Sequence, residues 1–278
     1  ASSFSCWKQR LPIAKSKAGL ASFKSLIFNI STACAFVVAA AGGSVAKHGN
    51  RSISSKSGSA DVLEAAGVNL DLTPEQVAEC INSTGVGFMF AQAHHRAMKH
   101  VIGVRKELGV RTIFNMLGPL TNPAEAPFQV IGVYDKALTV LFAKVLQRLG
   151  SNHVMVVHAA DGLDEISIGD KTYVAELKHG EVTEWQIDPA DHAMNHVDLN
   201  ELSVTSAQES LDIIRSVFAN TDSAAKDIVC LNSGASLYVT GLANSYSEGV
   251  SLAKQVIADG LVQAKMEEFI VKTQSFSK

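Results

Sequence analysis

From Ala1 to Ala60 the chain contains no aspartate or glutamate. A serine-rich, basic, acid-free leader has the composition of a transit peptide. A chain cut from something longer, or one whose start has been corrupted, explains that composition as well. Aromatic residues make up only 6% of the chain, within a hydrophobic fraction of 47%. The core must therefore be built from Ala, Val, Leu and Ile, which favours packed helices and buried strands over a loop-rich scaffold. The four cysteines (Cys6, Cys34, Cys80 and Cys230) show no CxxC or metal-ligand spacing. That argues against a disulfide framework and for reduced thiols used as small apolar residues, so the expected location is cytoplasmic.

No stretch reaches the ~18 uncharged apolar residues that a membrane span needs, and no membrane partner is expected. A formal net charge of -3 lacks the basic excess of a nucleic-acid binder, so no nucleic-acid partner is expected either. GxxxxGK[ST] and GxGxxG are both absent, which removes the P-loop and the dinucleotide fingerprint.

What is present is regular from Ser31 onward. "NISTACAFVVAAAGG" reads as a capped, Ala-rich helix ended by Gly42-Gly43, and "SVAKHGN" as a strand that breaks at Gly49. "SGSADVLEAAG" and "TPEQVAECINSTG" read as helices, the second with Thr73 as N-cap and Pro74 in the first turn. "VGFMFA", "FQVIGVY" and "HVMVVHAADG" read as strands, and "KTYVAELKHGEVTEWQI" as a hairpin. "HHRAMKHVIGVRKELG" and "ALTVLFAKVLQRLG" read as helices. "SAQESLDIIRSVFAN" is a further helix, with Ser206 and Glu209 at capping-box spacing, and helices finish the chain. Strands alternating with helices predict an α/β architecture with a mostly parallel central sheet flanked by helices.

Three segments place polar groups where a strand meets a loop or a helix begins, the edge at which open α/β sheets bind ligands. In "FNIST", Asn29, Ser31 and Thr32 can cap the helix while presenting hydroxyls and N–H groups to an anion. Alone, this is an ordinary helix cap. In "VAKHGNRSISSKSGSADVLEAAG", Lys47 and Arg51 supply positive charge and Gly49 allows close backbone approach. Ser52, Ser54, Ser55, Ser57 and Ser59 add small donors, and Asp61 suits the start of the next helix. A solvated basic loop has no need of so many hydroxyls. In "DGLDEIS", Asp164 and Glu165 are adjacent carboxylates at a strand's end, either a polar turn or the hard-cation donors that accompany a bound phosphate. A hydroxyl-rich basic cradle plus a separate acidic pair is the combination expected for a polyphosphate ester bound with Mg²⁺.

These three stretches, with "MKHVIGVRKELGVRTIFNMLGPLTNP" and "LNSGASLYVTG", resemble the anthranilate phosphoribosyltransferase family from about Phe28 to the C-terminus. The resemblance implies a nucleoside phosphorylase/phosphoribosyltransferase-like fold. Residues 28–92 and 122–278 would form the α/β domain that binds phosphoribosyl pyrophosphate (PRPP), residues 93–121 part of a small helical domain, here incomplete, and residues 1–27 an atypical segment. It implies transfer of the phosphoribosyl group of PRPP to the amino group of anthranilate with Mg²⁺, in a homodimer.

By the same resemblance, the PRPP contacts are Asn29, Ile30, Ser31, Thr32 and Ser59, together with the run Lys47, His48, Gly49, Asn50, Arg51, Ser52, Ile53, Ser54 and Ser55. Asn50 also meets anthranilate, and Arg105 receives its carboxylate, a planar match for guanidinium. Ser31, Asp164 and Glu165 are the expected metal ligands. His48, His94 and His95 are candidates for the aromatic substrate's path, or packed and solvated histidines. The family's "GTGGDG" loop is replaced by "KAGLASFKSLI", in which only Gly19 stands for the first glycine and the loop's aspartate has no counterpart. Two rival readings follow: a pyrimidine-nucleoside phosphorylase-like enzyme, and a non-catalytic binding relative.

Overall fold

The computed structural model describes residues 3–7 as backbone, and residues 27–51, 57–90, 124, 126–196 and 198–277. The strands are β1 (Ser3–Trp7), β2 (Ser44–Gly49), β3 (Val86–Phe90), β4 (Phe128–Gly132), β5 (His153–Ala159), β6 (Thr172–Lys178) and β7 (Glu181–Ile187). The helices are α1 (Ile30–Ala40), α2 (Ser59–Ala65), α3 (Pro74–Thr84), α4 (Ala137–Arg148), α5 (Ala207–Phe218), α6 (Ala224–Val239), α7 (Tyr246–Ala258) and α8 (Leu261–Gln274).

One sheet runs β3-β2-β1-β4-β5-β6-β7. Its first five strands are parallel and the β6–β7 hairpin closes it antiparallel, as the alternating pattern predicts. Residues 1–27 stand outside the α/β domain in the sequence reading. The structure instead puts Ser3–Trp7 in the middle of the sheet, paired with β2 at Ser3–Ser44 and with β4 from Phe4–Phe128 to Trp7–Ile131. Five residues with no turn signal after them leave too little local pattern to announce a strand; pairing on both sides defines it. The helical segments expected within 93–121 lie outside the described residues.

Strand alternation divides the core in two. In β5, Met155 and Val157 face the larger cluster built on α1, α5, α6, α7 and α8, while Val154 and Val156 face a smaller one under α4. In β4, Val130 and Ile131 divide the same way. Burial on both faces is the condition under which parallel strands are found. Helix α1 is enclosed, with every residue from Ile30 to Ala39 buried. Its Phe36 meets Phe218 of α5 and Phe269 of α8 edge-on, with ring centroids 6.0 and 5.8 Å apart. A helix held this firmly fixes where its N-terminus points.

The capping expectations hold in outline. The Thr73 hydroxyl accepts from the Gln76 N–H while the Gln76 side chain accepts from the Thr73 N–H, a reciprocal box ahead of Pro74. At α5 the Ser206 hydroxyl accepts from the Glu209 N–H, but the Glu209 carboxylate turns to Thr205, taking both its N–H and its hydroxyl. The return bond of that box is thus displaced by one residue, because the Thr205 hydroxyl offers a second donor.

Candidate functional site

Because β1 to β5 are parallel, their C-terminal ends share one edge, and the candidate segments lie on it. "FNIST" opens α1. Asn29 occupies the N-cap position, but its carboxamide does not cap a backbone N–H; it accepts from the Thr32 hydroxyl. The Asn29 N–H donates to the Ser210 hydroxyl at 2.9 Å, tying this end of α1 to α5. Ser31 and Thr32 are buried.

Lys47 comes from the end of β2 and is only 2% exposed. Its ammonium donates to the Ser31 hydroxyl at 3.0 Å. Two segments chosen separately from the sequence therefore meet. The electrostatics point one way: a desolvated cation beside the positive end of a helix is favourable when an anion lies between them.

The rest of the cradle departs from its sequence reading in two places. Gly49 is required because its own neighbour presses on it. An added Cβ would lie 2.1 Å from the Ser59 hydroxyl oxygen and 2.7 Å from the Phe88 ring. The glycine thus admits Ser59, a candidate site residue, rather than a ligand. Arg51 is exposed and makes a two-pronged bond to Glu64 at 2.5 and 2.8 Å, with Asp61 at 3.6 Å. The hydrogen bond to Glu64 raises the guanidinium pKa, and the same bond from Arg51 lowers that of Glu64. Its charge is engaged in holding α2. Asp61 sits at the start of α2, as the dipole argument predicts, and accepts from the Gly58 N–H at 2.9 Å. The Ala60 N–H donates back to the Asn50 carbonyl at 3.3 Å, so Asn50 and Ser59 flank the same bend. His48 is buried. Gly19, Ser52, Ile53, Ser54, Ser55, His94, His95 and Arg105 lie outside the described residues.

The acidic loop follows β5, three strand spacings from β2, or about 14 Å along the edge. Of its three acids, the first is structural. Asp161 accepts from the Leu163 N–H at 2.9 Å and from the Ser167 hydroxyl at 2.5 Å. The Ser167 hydroxyl in turn accepts from the Gly169 N–H, and the Ser167 N–H donates to the Thr172 hydroxyl. Asp164 is half-buried and Glu165 buried at 8% exposure. Beneath them, Gly132 at the end of β4 touches the loop's main chain: a Cβ there would lie 1.7 Å from the Asp164 carbonyl oxygen.

The donor set fits a hard cation. Among the described residues no three His, Cys, Asp or Glu side chains gather into a metal cage. A pair of carboxylates is what Mg²⁺ uses when substrate phosphate and water complete its shell. The sequence reading did not single out Ser210 or Gly132, whose roles come from contacts distant in the chain, nor Asp161, whose partners Leu163 and Ser167 lie within its own loop.

The sheet, covered on both faces, carries the candidate segments on one edge, and residues 24–263 match the family described as "Glycosyl transferase family, a/b domain", which makes the class that of a glycosyl-transferring enzyme. Anthranilate phosphoribosyltransferase of Hydrogenovibrio crunogenus is 66% identical over 250 residues, covering 90% of this chain and 74% of that protein. The enzyme of the same name from Thioalkalivibrio sulfidiphilus is 60% identical over 248 residues, covering 89% and 73%. The solved structure of anthranilate phosphoribosyltransferase from Thermus thermophilus superposes with a TM-score of 0.86 at 37% identity, covering 98% of this chain and 78% of that one. The Saccharomyces cerevisiae enzyme, solved in complex with PRPP and Mg, shares the fold with a TM-score of 0.83 at 24% identity, covering 99% and 74%. The chain belongs to the anthranilate phosphoribosyltransferase family.

Proposed function

We propose that this chain transfers the 5-phosphoribosyl group of PRPP to the amino group of anthranilate, giving N-(5-phosphoribosyl)anthranilate and pyrophosphate, a step of tryptophan biosynthesis. The observation that carries the reading is the buried Lys47 ammonium set against Ser31 at the N-terminus of α1. That arrangement suits the diphosphate of a sugar ester, and the family identifies which ester.

The nitrogen of anthranilate forms a bond to C1 of the ribose as the C1–O bond to pyrophosphate breaks, and the nitrogen then loses its proton to water. An aromatic amine carries its own lone pair, so the site needs no activated nucleophile. Its work is to hold two reactants in line and to receive the charge that develops on the leaving group. Lys47, Ser31, Thr32 and Asn29 take the diphosphate side. Asn50 and Ser59 stand at the bend where the ribose and the incoming amine meet. Asp164 and Glu165 would hold Mg²⁺, and Ser31 would stand near a metal on the diphosphate side; the cation when bound neutralises charge on the leaving diphosphate. Arg105 receives the anthranilate carboxylate. The active form is a homodimer.

The direct test is conversion. The purified chain with PRPP, anthranilate and Mg²⁺ is expected to consume anthranilate and release pyrophosphate in equal amounts. Release of a free pyrimidine base and ribose 1-phosphate from a pyrimidine nucleoside and inorganic phosphate, or PRPP binding without turnover, would overturn the assignment. A second outcome is specific to Arg105. Arg105→Ala is expected to raise the KM for anthranilate by roughly 10- to 100-fold, the loss of a charge-assisted pair, with the KM for PRPP little changed. Equal losses for both substrates would place Arg105 elsewhere.

A further inference from the structure

We propose that Asn232 is a positioning residue for the acidic loop, its buried carboxamide fixing Asp164 and Glu165 in the arrangement that receives the cation. This rests on reading that pair as Mg²⁺ ligands.

Asn232 lies in α6 and is 5% exposed. Its Oδ1 accepts from the Ile166 N–H at 2.9 Å, and its Nδ2 donates to the Ile166 carbonyl at 2.8 Å. The same Nδ2 donates to the Ile228 carbonyl, one turn back in the helix, at 2.8 Å. Both amide hydrogens and an acceptor position are thereby used. The bond to Ile228 fixes the plane of the carboxamide against its own helix, and the other two then grip a single residue at two points. Ile166 is fully buried and follows Glu165 directly.

A second contact holds the loop by shape, where the bare Cα of Gly132 receives the Asp164 carbonyl. The main chain on either side of Glu165, at Asp164 and at Ile166, is thereby held. Adjacent carboxylates repel each other, and Mg²⁺ demands near-ideal octahedral geometry, so a loop set before the metal arrives loses less freedom on binding it. The clamp also links the loop to the cradle. Helix α6 contacts α1 where the Cys34 thiol donates to the Val229 carbonyl at 3.7 Å, one turn from Ser31 on one helix and one turn from Asn232 on the other. The sequence marks the residue as an amide in the otherwise apolar and small "VCLNSGASLYV".

The experiment is calorimetric titration of PRPP into the full chain over a series of Mg²⁺ concentrations and in chelator, for the wild type, Asn232→Ala, Gly132→Ala and Asp164→Asn. Asn232→Ala is expected to raise the Mg²⁺ concentration that half-saturates the enhancement of PRPP binding by roughly 10- to 100-fold. PRPP affinity in chelator should stay as in the wild type, which a general loss of stability would not produce. Gly132→Ala displaces the same loop at Asp164 and is expected to act alike, so the proposal survives as a test even if Asn232→Ala fails to fold. A wild-type Mg²⁺ requirement in the folded variants, alongside a raised one in Asp164→Asn, overturns the positioning role and leaves the metal reading standing. A wild-type requirement in Asp164→Asn as well removes the metal reading, and this proposal with it.

Discussion

Lys47→Met is expected to lower kcat/KM for PRPP by roughly 10²- to 10³-fold, the loss associated with removing one preorganised donor to a developing negative charge. The reasoning is local. The ammonium is enclosed, so its field is not screened by solvent, and it is aimed at the end of α1 through Ser31. Methionine keeps the length and the apolar stem and deletes only the charge and the donors. Arg51 supplies the contrast. It is also a cation of the same loop, but it is exposed and engaged with Glu64. Exposed pairs of that kind contribute about 0–1 kcal/mol, so Arg51→Gln is expected to lower kcat/KM by less than tenfold. Steady-state kinetics on both variants, with unchanged far-ultraviolet circular dichroism as the check on folding, decide the matter. Equal losses would mean that Lys47 acts through the net charge of the loop and not through its buried position.

The second large effect belongs to the acidic pair. Replacing Asp164 and Glu165 together by Asn and Gln keeps size and hydrogen-bonding capacity but removes both negative charges. Activity is expected to fall by at least about 10²-fold, because leaving-group stabilisation of several kcal/mol is lost with the cation. The residual rate should no longer depend on Mg²⁺. A double variant that keeps the wild-type magnesium response would show that the pair is a polar turn.

These two predictions draw on the part of the site that is legible in the chain. Lys47, Ser31, Asp164 and Glu165 announce themselves because each joins an ionisable or hydroxyl group to the end of a strand or the start of a helix, and such junctions are local. The fold is legible for the same reason: Thr73 with Pro74, Ser206, and the apolar runs of β4 and β5 carry their own punctuation. What escaped is held by long-range contact. Nothing in five residues identifies Ser3–Trp7 as the strand between β2 and β4. Gly49 is legible as a necessary glycine, but the group that makes it necessary is Ser59, ten residues on. Arg51 is a cation in a phosphate-like loop until α2 folds back and presents Glu64. Asn232 serves a loop sixty-six residues away, and no periodicity records such a link. The sequence tells where charge can gather, while packing tells which charges are already engaged.

The account stands on one spatial claim, that the lysine-and-serine bend after β2 and the acidic turn after β5 close on the same diphosphate with a divalent cation between them. Crystals grown with PRPP and Mn²⁺, measured for anomalous scattering, test it most directly. The predicted result is a manganese peak bonded to carboxylate oxygens of Asp164 and Glu165 and to the diphosphate, with the Lys47 ammonium in hydrogen-bonding contact with that diphosphate. A peak away from both carboxylates, or a diphosphate lying beyond reach of Lys47, would contradict it.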